Sequence, residues 1–197
     1  MNSVQTKKEQ LKPILIEHAY AIMKKEGISA IRIRTLAEKA GCSVGTFYNI
    51  FETFDDIHYH LNSRVIKELL SYLYVELEKS AREKVPLTEA LPQLGWAYLD
   101  FGKVNLHSWK TLFESTPTAD CPTWYLNQIA ERMEPFKELL ASAYGLTREH
   151  AEKLINYFWF AIHGVSSIIL NQKGTDTSDE FLEKYIDHCL RGIHDLA

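Results

Sequence analysis

The chain has 197 residues, 46% hydrophobic and 24% charged, with a net charge of −4. That is enough apolar material for a sizeable core in one medium domain, or in a small domain fused to a larger one, and it excludes widespread disorder. Three widely spaced cysteines, Cys42, Cys121 and Cys189, exclude a disulfide framework and any CxxC metal spacing; neither metal nor cofactor is expected, and a reducing cytoplasm is the expected compartment.

In chain order, every segment reads as helix and none as alternating strand. A first helix is expected over about Lys7 to Glu26, with Ile14, Ala19, Ile22 and Met23 near one face and Gly27 ending it. A short second helix is expected from Ile33 to Ala40, stopped by Gly41, and a third from Val44 to Ile50. Thr53 reads as the N-cap of a long fourth helix, Phe54 to about Lys79, with Asp55 and Asp56 offsetting its positive end. "REKVP" connects to a helix starting at Thr88 that carries "LGWAYLDF", and "ESTPTADCPTW" breaks the chain again. Helix resumes at Trp124, with a kink expected at Pro135 and a stop at Gly145. Thr147 caps a helix to about Gln172; "KGTDTSD" turns, and Ser178 opens the last helix, ending near Asp195. The expectation is an all-α protein of about nine helices: a helix-turn-helix head of three helices on a larger helical body. Its longest uncharged apolar run, Ile155 to Leu170, falls short of the ~20 residues a membrane span needs and reads as a buried helix. The opening "MNSVQTKKEQLK" has no apolar secretory core.

Charge is uneven along the chain. Residues 1–50 hold eight Lys or Arg against four Asp or Glu, while the remainder holds 14 against 22. A basic head on an acidic body places any phosphate contact on the head.

The stretch "AEKAGCSVGTFYNIF", residues 37–51, has the outline of a helix-turn-helix. Ala37 and Ala40 allow close packing, Gly41 tolerates the left-handed turn, Cys42 suits a buried turn, and Ser43 caps the next helix. Leu36, Phe47, Ile50 and Phe51 point inward. Val44, Gly45, Thr46, Tyr48 and Asn49 are left facing out, with Arg32, Arg34 and Thr35 alongside. Gly45 lets another backbone approach; Thr46 suits a phosphate or a base edge, Tyr48 a phosphate, and Asn49 a base edge or the backbone.

The pattern resembles the tetracycline-repressor (TetR) family, roughly I-A-x-x-A-G-V-S-x-G-T-L-Y-x-H-F. Leu36, Ala37, Ala40, Gly41, Ser43, Gly45, Thr46, Tyr48 and Phe51 match it without a gap, and Cys42 and Phe47 are mild replacements. The resemblance covers about residues 8 to 68. It implies a DNA-binding domain over 8–68, a ligand-binding and dimerisation domain over 69–197, and a non-enzymatic, cytoplasmic regulator of transcription. Departures are Ile31 and Arg32, where the family commonly has Thr or Ser, and Phe54, where it commonly has a Lys that meets a phosphate.

In the body, the helix from Arg148 is apolar all round and so needs cover all round. Ala151, Leu154, Ile155, Phe158, Trp159, Ile162, Val165 and Ile169 form one stripe. Tyr157, Phe160, Ala161, Gly164 and Ile168 form the other, expected to meet a second subunit together with Tyr185, Cys189 and Ile193 of the last helix. "WFAIHG", Trp159 to Gly164, resembles a W-x-x-x-H-G signature of one subfamily of these regulators. A small apolar or aromatic effector is expected among Trp96, Phe101, His107, Trp109, Phe113, Trp124, Tyr125, Phe158, Trp159 and His163, where Tyr98 also lies; a plain packing role competes for each. "HYH", His58 to His60, has a spacing that divides two helix faces, against a metal site. The expected function is a homodimeric repressor on a near-palindromic operator, released by the effector. A ligand-independent architectural or division-control DNA-binding protein on the same fold is the alternative. No Ser/His/Asp set, phosphate loop or HExxH supports an enzyme.

Overall fold

A computed structural model describes residues 3–115, 117, 120–173 and 178–193, leaving aside the side chains of 3–7, 179 and 191–193. Most of the expected "KGTDTSD" turn therefore lies outside the described residues. Among the described residues there are nine α-helices and no strand: α1 (Ser3–Glu26), α2 (Ile33–Lys39), α3 (Val44–Ile50), α4 (Phe54–Arg82), α5 (Leu87–Val104), α6 (Leu106–Phe113), α7 (Thr123–Tyr144), α8 (Arg148–Leu170) and α9 (Asp179–Ile193).

Local chemistry sets most of these boundaries. Gly27, at φ +85°, carries the chain out of α1 while its N–H donates to the Met23 carbonyl at 2.9 Å. At α4, Thr53 N–H donates to the Asp56 carboxylate at 3.0 Å and Asp56 N–H to the Thr53 hydroxyl at 3.3 Å, a reciprocal cap. Thr147 and Ser178 accept from His150 N–H and Phe181 N–H in the same way. One boundary differs from the sequence reading. The chain breaks at Asn105, whose side-chain amide donates back to the Phe101 carbonyl at 3.1 Å, so α5 and α6 are separate. Pro135 lies inside α7, as the sequence reading expected.

The chain forms two compact units. The first takes residues up to Ile66 together with His107–Ile129; the second takes Lys67–Leu106 and the chain from Ala130. The 107–129 stretch thus packs with the head, although it lies 40 residues further along the sequence. The first unit is built around Leu15, Met23, Leu36, Phe47, Phe51, Ile57, Leu61 and Trp109, all essentially without exposure. The second centres on α5, packed against α8 and α9. Gly95 makes that approach possible, because a Cβ there would sit 2.5 Å from Leu190 Cδ1 and 3.2 Å from Ile186 Cγ2.

α8 is long and apolar enough, by length and composition, to cross a membrane, with a mean hydropathy of 1.2 over its most apolar window. In this fold Ala151, Leu154, Ile162, Val165 and Leu170 form a buried stripe along it.

Candidate nucleic-acid interface

α2 and α3 meet through Leu36 and Phe47, both with no exposed surface. Gly41 stands at φ +66°, and the following Cys42 N–H donates to the Ala37 carbonyl at 2.9 Å, which closes α2. Ser43 takes an extended backbone, and its hydroxyl accepts from Thr46 N–H at 3.1 Å and pairs with the Thr46 hydroxyl at 2.9 Å. A seven-residue helix would be marginal alone; this cap and the buried Phe47 hold α3 in place. Arg32, Arg34, Thr35, Ser43, Val44, Gly45, Tyr48 and Asn49 are all exposed, and Thr46 half-exposed. Tyr48 leaves half its surface open. Arg32 folds back to donate to the Ser29 carbonyl, and Arg34 pairs with Glu38 at 3.3 Å. Exposed ties of this kind are worth little, so both guanidiniums can exchange them for another anion. Ile31, by contrast, is 5% exposed and serves the core.

Behind α3, aromatic rings carry the packing outward. Phe47 lies 5.2 Å from Phe51, Phe51 lies 5.9 Å from His60, and His60 stacks on Trp124 at 4.5 Å. One residue away, Tyr59 packs on Tyr125 at 5.2 Å, and Ser63 donates to the Gln128 carboxamide at 2.6 Å. His58 faces α6, its Nε2 3.4 Å from the Thr111 carbonyl. Burial pushes His60 down to about 4, with the Lys12 ammonium adding and Asp56 opposing. Burial lowers His58 too, against the Thr111 carbonyl and Asp55. Both rings are neutral at pH 7 and act as packing groups. Arg64 ties α4 to α1, its guanidinium 3.7 Å over the Tyr20 ring and paired with Glu17.

The expected effector residues divide between the units. His107, Trp109, Phe113, Trp124 and Tyr125 belong to the first; Trp96, Phe101, Phe158, Trp159 and His163 belong to the second. In the first, Trp109 is fully buried against Phe113, and His107 is exposed beside Gly27, its Nδ1 3.3 Å from where a Cβ would stand. In the second, Trp159 and His163 are one helical turn apart and stack at 5.2 Å and 7°. The Tyr98 hydroxyl bonds His163 Nδ1 at 2.9 Å, with its ring edge-on to Trp159. On the opposite face of α8, Tyr157, Phe160 and Ile168 are 40%, 74% and 49% exposed, and Gly164 is open. Tyr185 is 39% exposed, while Ala161 and Cys189 are half-buried and line a shallow cleft between α8 and α9. The Ile193 side chain lies outside the described residues.

With this geometry in place, solved structures give the fold a precedent. The structure matches a TetR transcriptional regulator from Rhodococcus sp. RHA1 over 95% of this chain and 97% of that one, with a TM-score of 0.60 at 16% identity. It matches a TetR family transcription regulator from Marinobacter aquaeolei VT8 over 94% and 96%, at 0.52 and 14%. A candidate regulatory protein, SCO4313, aligns over 95% and 98%, at 0.66 and 18% identity. The chain has the TetR-regulator fold. No protein-family model and no curated protein matches its sequence.

Within the TetR fold, α3 is the outward helix of the helix-turn-helix, and its exposed residues are those the sequence pattern leaves facing out. Sequence reasoning missed the support behind it: His58 and His60, Thr111, Gln128 and the Arg64 tie. The only sequence signal for the histidines was their spacing, which sends one ring to α6 and the other to α7.

Proposed function

We propose that the chain is a homodimeric regulator of transcription that reads duplex DNA through Arg32, Arg34, Thr35 and residues 43–49. The observation that carries this reading is the outer face of α3: a capped, rigidly backed helix that leaves Val44, Gly45, Tyr48 and Asn49 exposed and Thr46 half-exposed. Gly45 permits close approach, Thr46 and Tyr48 supply hydroxyls for phosphate, and Asn49 supplies a bidentate amide for a base edge. The second half of the proposal, dimerisation through α8 and α9, is supported by surface left uncovered. Only 28% of the most apolar window of α8 is buried within the chain. Two copies pairing through this face would present two reading helices to half-sites about one turn, ~34 Å, apart.

A small apolar or aromatic effector that binds best to the form with misaligned heads would withdraw the dimer from DNA. The aromatic group at Tyr98, Trp159 and His163 supports a site in the second unit. The α8–α9 cleft is too shallow to enclose even a water molecule, far short of the roughly 300 Å³ of a small-molecule pocket. That narrowness favours the second reading, a DNA-binding protein on the same fold that needs no ligand.

The test uses a duplex selected from a random pool by the wild-type chain. Tyr48→Phe combined with Thr46→Ala should weaken binding ten-fold or more by fluorescence anisotropy while leaving thermal unfolding within a degree or two. Unchanged affinity would remove α3 as the reader.

A further inference from the structure

We infer that Lys8 and Lys12 on α1 form a second phosphate-binding track beside the reading helix, supplying the charge that Phe54 withholds at the start of α4. This rests on the DNA-binding reading above. The Lys12 ammonium stands 5.5 Å over the ring of Phe51, the residue that ends α3. Its stem is half-buried, so the cation is held at the junction of α3 and α4 rather than sweeping through solvent. No carboxylate pairs with it among the described residues, in contrast to Arg34, Arg64, Lys137 and Lys153, which all have acidic partners.

The direction of α1 brings in Lys8. Lys12 is level with Phe51 and acts on His60, whereas Glu17 and Tyr20 meet Arg64. Lys8, exposed, stands one turn before Lys12 on the same face of α1. The Asp56 carboxylate accepts from the Thr53 N–H in the cap of α4. Two ammonium groups one turn apart on one helix face, with Lys12 at the end of α3, suit the spaced anions of a duplex backbone and carry no sequence preference.

The test is the salt dependence of binding by the full chain to the same selected duplex and to one of scrambled sequence. Lys8→Met and Lys12→Met keep the stems, so Phe51 stays covered, and remove the charges. Each should flatten the slope of log affinity against log salt by about 0.9 per head, equally on both duplexes. Lys12→Arg should keep the wild-type slope. Slopes unchanged in both methionine variants overturn the inference but leave the α3 reading standing. A wild-type chain that binds neither duplex overturns both.

Discussion

The outer faces of α3 and α8 are both uncovered, yet they offer different things. α3 shows Val44, Gly45, Tyr48 and Asn49, a face whose polar groups keep their hydration until a polar partner replaces it. α8 shows Tyr157, Phe160 and Ile168, which offer area and little else. The first suits a hydrated, charged partner approached closely; the second suits another protein surface that excludes water. The contrast teaches that exposure alone does not name a partner, and that the chemistry left on the exposed side does.

The largest expected effect comes from turning the comparison inside out. Phe47, on the buried side of α3, has no exposed surface, so Phe47→Ala should cost ~3–5 kcal/mol of stability. Denaturant unfolding would show it as a large fall in midpoint, far beyond anything Tyr48→Phe produces. Next is the α8 face. Phe160→Asp with Ile168→Asp should weaken self-association by ~3 kcal/mol or more, over a hundred-fold, since central aromatic anchors dominate interfaces. Sedimentation at micromolar concentration reads this directly; a wild-type chain already monomeric would end the idea of a seam. Ser43→Ala comes third. Losing the cap that accepts from Thr46 N–H should cost ~1 kcal/mol, with a parallel loss of DNA affinity as α3 frays.

The last prediction concerns acid. His60 is held neutral with a pKa near 4, against an ordinary 6.5. Below pH 6.5 the unfolded chain takes up a proton that the fold refuses. Its contribution to stability therefore falls as pH drops from 6.5 to 4 and levels off below. The urea midpoint of His60→Phe should fall less than that of wild type between pH 7 and 5. Parallel curves for the two would contradict the burial described for this ring.

What was legible in the sequence was the part fixed locally. Gly41 and Ser43 give the turn and the start of α3, and Thr53 with Asp56 gives the start of α4, because a cap needs only neighbours within a turn. The 3.6-residue period likewise shows which sides of α3 and α8 turn inward. What was not legible depends on partners distant in sequence. His58 and His60 read as two faces of one helix, but nothing in "HYH" says that one finds a carbonyl at Thr111 and the other a ring at Trp124. The same blindness explains why His107–Ile129 was expected in the body. In that stretch Trp109 is buried and Trp124 stacks on His60. Asn105 was missed as a break because an Asn late in an apolar helix carries little signal until its amide is seen folding back on Phe101.

The hydroxyl of Ser43 already holds the Thr46 N–H in the free chain, so the first turn of α3 is wound before any partner arrives. Association then needs no coupled folding step. The heat-capacity change on binding should reflect the surface that the two partners bury and not the ordering of a helix. Encounter rates should follow charge and orientation and not the slow search of a coil for its structure.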